Sequence, residues 1–461
     1  MNAGSTRAHV CLAVLLICWG SQALAIEHYL VGAASASISP PNDTLLAGYD
    51  RNRRSTGELD PLYTRAVVID DGVSSIVIVT LDNIGLTRPD IEHIQTQASA
   101  RIPGLMPDRV IVSSTHTHAG PDVVGLWGTD FWSSGRDEAY VTTLIDTTVD
   151  TIAAAHAARQ PATSRVGSRE VTFDWVENVS EPDLLDRTLS VLQFVGLDGI
   201  SIVTLTNHAC HPTVLGSDNT MVSADYVGGF YTAMSAKVPG EHLFLQGAIG
   251  GWVQPLQGDR SHELAQKLGA NLANATQQLL KDAEPNPPMP LTFASTALAL
   301  PLDNWPMRVL MWFGLIERDV VDGGVETAVA RFTVANAEFV THPGETSPYF
   351  SKASRESMTH RHGFVMGLTQ DALGYILKPD YFEHPDKYPH GDYLTSVSVG
   401  KDAGPLLMEA LATLKLVPAE LQRSPDRDLR LSQQWRSGDL LQYGDTEPSR
   451  PGDRSYGTES R

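Results

Sequence analysis

The chain has 461 residues, 54 acidic against 34 basic, a formal net charge of −20 and no Lys/Arg run in its body. That balance excludes nucleic acid as a partner, because binding to a phosphate backbone rests on clustered cations. Of the three cysteines, Cys11 and Cys18 fall in an N-terminal apolar run and leave Cys210 unpaired, so a large core rather than a disulfide framework must hold the fold.

Residues 1–25 read as an export signal. Arg7 and His9 precede the apolar run Val10–Trp19, too short to span a bilayer, and Ala23-Leu24-Ala25 is an A-x-A cleavage pattern before Ile26. The mature chain is expected to begin at Ile26 and to be periplasmic or secreted.

Beyond the signal, strand-like and helix-like stretches alternate. Ala66–Ile69 and Ser75–Leu81 read as a hairpin turned by Asp71-Gly72, and Asp90–Ala100 as a helix begun near Pro89. Arg109-Val110-Ile111-Val112 reads as a buried strand opening into Thr115-His116-Thr117-His118-Ala119-Gly120-Pro121. Glu138–Ala158 is helical, with Tyr140, Leu144, Val149, Ile152 and Ala155 on one side. A second hairpin, Leu189–Val195 and Ile200–Thr206 around Asp198-Gly199, leads into Asn207-His208-Ala209-Cys210-His211-Pro212.

Helices over Asp225–Val238 and His262–Lys281 flank a strand at His242–Gln246, and Leu291–Leu302 returns to strand character. Val309, Trp312, Phe313 and Ile316 are spaced as the core face of a helix. The same lipophilic stretch, Trp305–Leu315, could instead admit an acyl chain or rest on a membrane. Leu373, Tyr375 and Leu377 alternate as in a strand, and Pro405–Leu414 is a last helix. This alternation predicts an α/β fold with a mixed sheet, layered into one large domain over residues 26–421. The polar residues 422–461 form a tail expected to be disordered.

Two strand ends that each deliver histidine to a Pro-containing loop predict one shared rim, since open α/β sheets bind ligands at the carboxyl ends of strands. In an extended segment, side chains two apart lie on one face, so His116 and His118 could address one centre. Cys210, between Ala209 and His211, reads as a buried structural thiol. Taken alone, Glu345 reads as a turn carboxylate and Tyr375 as a core aromatic.

In the order and spacing of Gly48-Tyr49, Asp60-Pro61-Leu62-Tyr63-Thr64-Arg65-Ala66, the T-H-T-H-A-G-P loop, His211-Pro212, Ser223-Ala224-Asp225-Tyr226, Pro343-Gly344-Glu345 and Gly374-Tyr375-Ile376, the chain from Ile38 to Leu414 resembles the neutral/alkaline non-lysosomal ceramidases. These are zinc-dependent amidohydrolases that split N-acylsphingosine into a fatty acid and a sphingoid base. The resemblance implies a catalytic domain over 26–421 with zinc held by His116, His211, Glu345 and Tyr375. It implies further that His118 donates to the oxyanion, shuttles a proton or orients His116, and that Tyr393 lies near the reacting carbonyl. Two imidazoles and a carboxylate are a common catalytic zinc shell, able to lower the pKa of bound water toward about 7.

Two departures shape the expectation. Where ceramidases carry a G-D-V-S-P segment whose serine lies beside the zinc, this chain has Gly247-Ala248-Ile249-Gly250-Gly251-Trp252-Val253-Gln254-Pro255, with Gln254 nearest the serine position. Gly250 and Gly251 there permit close backbone approach and N–H donation to an oxyanion, so zinc-activated water rather than a serine acyl-enzyme is expected. Only some ~45 polar residues follow Leu414, too few for the immunoglobulin-like domain of about 100 residues that family enzymes commonly add. Trp127 and Trp132 are expected near the pocket mouth. The reading is a zinc amidohydrolase of an N-acyl lipid, beside two alternatives: a zinc hydrolase of a polar amide or ester, and a non-catalytic binding protein that retains the metal.

Overall fold

The computed structural model describes residues 26–256, 258–318 and 320–418; the expected export signal and the polar tail lie outside the described residues. A mixed sheet runs in the order Glu241–Gln246, Ser201–His208, Thr188–Gly196, Gln160–Glu170, Tyr29–Ser37, Tyr63–Asp70, Ser75–Leu81, Val110–Ser114. Its inner pairs are antiparallel, while the outermost pair at each end is parallel.

Over Tyr63–Asp70, Ser75–Leu81, Val110–Ser114, Thr188–Gly196, Ser201–His208 and Glu241–Gln246 both faces of this sheet are largely buried, which is why these strands are rich in apolar runs, whereas Gln160–Glu170 alternates buried and exposed residues. Because side chains alternate across a strand, Val68, Val77, Val79 and Val112 enter one core while Val67, Ile69, Ile76, Ile78 and Ile111 enter the other. The first face is covered by α1 (Arg88–Arg101) and α2 (Glu138–Ala157) through Ile91, Ile94, Leu144 and Ile152. Further along it, α3 (Tyr226–Ser235) and α4 (His262–Asp282) pack Phe230, Leu268 and Leu272 on Leu189, Val191 and Phe244.

The second face packs on another sheet, ordered His362–Met366, Ala337–Thr341, Gly324–Val334, Thr292–Pro301, Val417–Pro418. The Phe332 and Phe339 rings stack at 4.8 Å and those of Phe339 and Phe364 at 4.3 Å, filling the space between the sheets. Helices Pro348–Ser357 and Ala403–Thr413 close the far side. The expected layered α/β fold with mixed sheets is therefore the observed one, and both hairpins turn at the expected glycines, Gly72 (φ 84°) and Gly199 (φ 83°).

The stretch after residue 304 departs from expectation. Helix α5 covers only Trp305–Trp312 and buries Leu310 and Met311, leaving Trp312 and Phe313 81% and 58% exposed. Gly314 takes φ 68°, which stops the helix. The period that would align Val309, Trp312, Phe313 and Ile316 on one core face is broken before Ile316, which is buried in the segment after the helix.

Close approach of α2 to the sheet depends on Gly32. A Cβ there would lie 2.2 Å from the Ala155 carbonyl oxygen and 2.6 Å from the Arg159 nitrogen. Gly32→Ala is expected to destabilise the fold by about 1–3 kcal/mol through overpacking, read as a lower urea midpoint with an unchanged slope.

Candidate metal centre

Two strand ends and one pair of short strands deliver the site. His116 follows Val110–Ser114 with φ 71°, a conformation uncommon outside glycine. Its backbone N–H donates to Asn83 O at 2.9 Å, and its ring Nδ1 meets Ile84 O at 2.5 Å. His211 follows Ser201–His208, and its backbone N–H and ring Nδ1 both meet Val253 O at 2.8 Å. Glu345 lies on the short strand Glu345–Thr346, paired in parallel with Tyr375–Ile376 so that Glu345 and Tyr375 are opposite each other. Gln246 ties the two histidine loops together, its buried Nε2 donating to Thr115 O and Cys210 O, each at 2.9 Å.

These contacts fix the ring tautomers. A ring nitrogen that faces a carbonyl oxygen must carry a proton, so Nε2 of both His116 and His211 is turned inward. Both Nε2 atoms face Glu345 Oε2, at 3.4 and 3.0 Å. A carboxylate only accepts, so three buried acceptors aimed at one point repel unless a cation or a proton lies between them. His118 Nε2 stands 3.3 Å from His116 Nε2, and ring nitrogens of His116, His118 and His211 lie within 4.8 Å of one another. Imidazole nitrogens and one carboxylate are a donor set that fits zinc.

The surroundings set the charge of each group. Burial alone would raise the Glu345 carboxyl, but the adjacent His116 and His211 rings, when a proton sits at Nε2, outweigh it and hold the group well below the ordinary carboxylate range. Burial drives the His118 imidazole well below its usual value, with His116 and His211 adding to the effect. Burial, followed by the charge of Glu345, lifts the Tyr375 hydroxyl well above its usual value. Tyr375 is thus a neutral phenol beside Glu345 that accepts the Trp252 indole N–H at 2.7 Å. Gly48 (φ 98°) admits the His118 ring, since a Cβ there would lie 2.4 Å from its Cγ.

Of the remaining expected residues, Tyr393 sits on the helical turn Gly391–Ser396, half exposed, with its ring 6.4 Å from Tyr375 and 5.6 Å from Trp252. Gln254 donates to Glu177 at 3.3 Å and lines a 570 Å³ cleft with Trp252, Glu177, Asn178, Arg187 and His390. Gly250 does approach the site closely, because a Cβ would strike the Glu345 carbonyl oxygen at 2.4 Å. Its N–H, however, is bonded to Thr346 O at 2.9 Å, so the expected donation to an oxyanion does not come from Gly250. Gly251 (φ 84°) makes the turn that places Trp252. Trp127 is half-buried and packs against the core, while Trp132 is exposed. Cys210 is buried, and burial pushes its thiol well above its usual value.

Sequence reasoning missed the Trp252–His390 pair. The rings stand 4.2 Å apart, and both residues occupy the left-handed region, φ 60° and 61°. Only the Gly250-Gly251 step before Trp252 hinted at an unusual backbone there. Arg53 was missed as well; it is buried and donates to the carbonyls of Ala47 and His118, bracing the loop behind His118.

The profile of the neutral/alkaline non-lysosomal ceramidase family, N-terminal region, matches residues 29–279. The chain belongs to this family. The neutral ceramidase of Pseudomonas aeruginosa is 27% identical over 183 residues, a match spanning 36% of this chain and 27% of that protein. The crystal structure of the Pseudomonas aeruginosa neutral ceramidase superposes with a TM-score of 0.69 at 17% identity, over 83% of this chain and 74% of that one. A ceramidase complexed with C2 superposes with a TM-score of 0.68 at 16% identity, over 92% and 77% of the two chains.

Beneath the His116 loop lies a second buried carboxylate. Asp82 accepts from Tyr63 N at 3.0 Å and from Thr115 Oγ1 at 3.2 Å, and burial pushes its carboxyl up to about 6. The folded state therefore keeps this proton to higher pH than the unfolded state, so stability falls as pH rises from about 4 to 6, by roughly 3 kcal/mol from this group. Asp82→Asn should flatten that fall, measured as the difference in urea-unfolding free energy between pH 4 and pH 7.

Proposed function

We propose that the protein is a zinc-dependent amidohydrolase that cleaves the amide of an N-acyl lipid of ceramide type into a fatty acid and an amine. The observation that carries this reading is the buried convergence of His116 Nε2, His211 Nε2 and Glu345 Oε2. Zinc held by these three, with the Tyr375 hydroxyl at a further position, would supply Lewis acidity to the amide carbonyl and to a water molecule.

The chain's own groups then divide the work. His118, a neutral imidazole 3.3 Å from His116, takes a proton from the attacking water and returns it to the leaving amine. Tyr393, at the exposed rim, donates to the carbonyl oxygen as charge develops. Trp252 holds the Tyr375 hydroxyl, which lies beside the Glu345 carboxylate. Water is the nucleophile, since Gly247–Pro255 contains no serine and Cys210 is a buried thiol. Family membership supports the lipid amide, and the signal pattern of residues 1–25 supports export.

A second reading, hydrolysis of a water-soluble amide, is favoured by one feature. The cleft beside Trp252 is lined by Glu177, Asn178, Arg187 and Gln254 as well as by apolar side chains.

Elemental analysis of the purified protein tests the metal: zinc is expected in the wild type and lost in both His116→Ala and His211→Ala. Turnover should fall in these variants by at least about a thousandfold, several kcal/mol of barrier, whereas Gln254→Ala should lower it by less than about tenfold. No zinc in the wild type, or unchanged zinc in both variants, removes the metal assignment. Turnover confined to short soluble amides, with none for ceramides, shifts the reading to the second substrate class. Trapping during turnover should find no acyl group on the protein.

A further inference from the structure

Away from the metal centre, one surface is aromatic. Phe131 and Trp132, on the loop beyond His118, are 46% and 63% exposed, and Trp305 on α5 is 72% exposed, alongside Trp312 and Phe313. These rings touch one another: Phe131 and Trp132 at 4.9 Å, Trp132 and Phe313 at 5.8 Å, Trp312 and Phe313 at 5.1 Å. Trp305 lies two helical turns before Trp312 and extends the same face. Single exposed aromatics are ordinary, but a contiguous patch marks an interaction surface.

The patch adjoins the candidate centre. The Tyr49 ring packs on His118 at 4.9 Å, and two residues further on Arg51 lies 5.3 Å over the Phe131 ring and donates to Asp130 O at 3.2 Å. Two residues span at most roughly 7 Å, so the same short segment touches both.

Chemistry selects the occupant. Indole rings favour the boundary between head groups and acyl chains, where an apolar body and a polar N–H are both satisfied. Charges on the flanking segments are mixed in sign, with Arg51 and Arg308 against Asp130, Glu317 and Asp322. A mixed rim complements a zwitterionic head-group layer, and the chain's net charge of −20 disfavours an anionic one. We infer that this aromatic patch docks the protein on a zwitterionic phospholipid surface, with the metal centre beside the head-group layer.

Docking is read without turnover, so it fails or stands separately from the hydrolase reading. The full-length mature protein is mixed with phosphatidylcholine vesicles, and binding is followed by co-sedimentation and by tryptophan emission. Wild type should bind with a blue shift, and a His116→Ala variant should bind equally. Trp132→Ala combined with Trp312→Ala should weaken partitioning by at least about tenfold, whereas the corresponding Trp→Phe pair should retain most of it. Brominated phosphatidylcholine should quench wild-type emission, a readout that needs no variant to fold. Absence of wild-type binding, equal binding by the alanine pair, or no quenching overturns the inference. So does a concentration-dependent dimer, seen by sedimentation velocity and abolished by the alanine pair, in protein that does not bind vesicles.

Discussion

The structure is organised around a local electrostatic conflict. Two imidazole lone pairs and a carboxylate oxygen meet within 3.0–3.4 Å in a buried space, and none of the three groups brings a proton of its own to share once the carbonyls of Ile84 and Val253 have taken the Nδ1 hydrogens. Such an arrangement is expensive without a cation. The surrounding fold holds it open: His116 is kept in a left-handed conformation, Gly48 and Gly250 admit neighbours that any side chain would push away, and Gln246 fastens the two histidine loops. Strain of this kind persists only where the surroundings over-determine it.

The sheet supplies that rigidity. Its two end pairs are the parallel ones, and their carboxyl ends deliver Asp82, His116, His211 and the Gly247–Pro255 loop. Bonds from Gln246 to Thr115 and Cys210 show that these opposite ends of the strand order meet in space, so the sheet is strongly curved. The second sheet completes the site by sending Glu345 and Tyr375 from beyond its own strands, and the stacked phenylalanines between the sheets set how far these reach. A change in packing between the layers would therefore be felt at the acceptor cluster.

Much of this was legible in the sequence for a physical reason. Strands buried on both faces are long apolar runs, and turns at Asp71-Gly72 and Asp198-Gly199 need the positive φ that glycine accepts. His116, His211 and Glu345 were legible because strand ends and family spacing marked them. Trp252 and His390 were not, because their meeting depends on left-handed residues 138 positions apart in a chain whose local pattern says nothing of it. Trp312 and Phe313 misled for the opposite reason: their spacing fits a helix face, but Gly314 ends the helix before a face can form.

The divergent Gly247–Pro255 loop changes what Tyr375 can be. Its hydroxyl accepts the Trp252 indole N–H and lies beside the Glu345 carboxylate, and a buried phenol next to an anion has no reason to ionise. Burial and the charge of Glu345 both press in the same direction. Tyr375 thus offers at most the remaining lone pair of a neutral oxygen, a weaker ligand than a phenolate. Its hydroxyl joins the loop that carries Trp252 to the short strand paired with Glu345–Thr346. A loop without a nucleophilic hydroxyl thus still bears on the candidate centre, through the indole that fixes the Tyr375 hydroxyl beside Glu345.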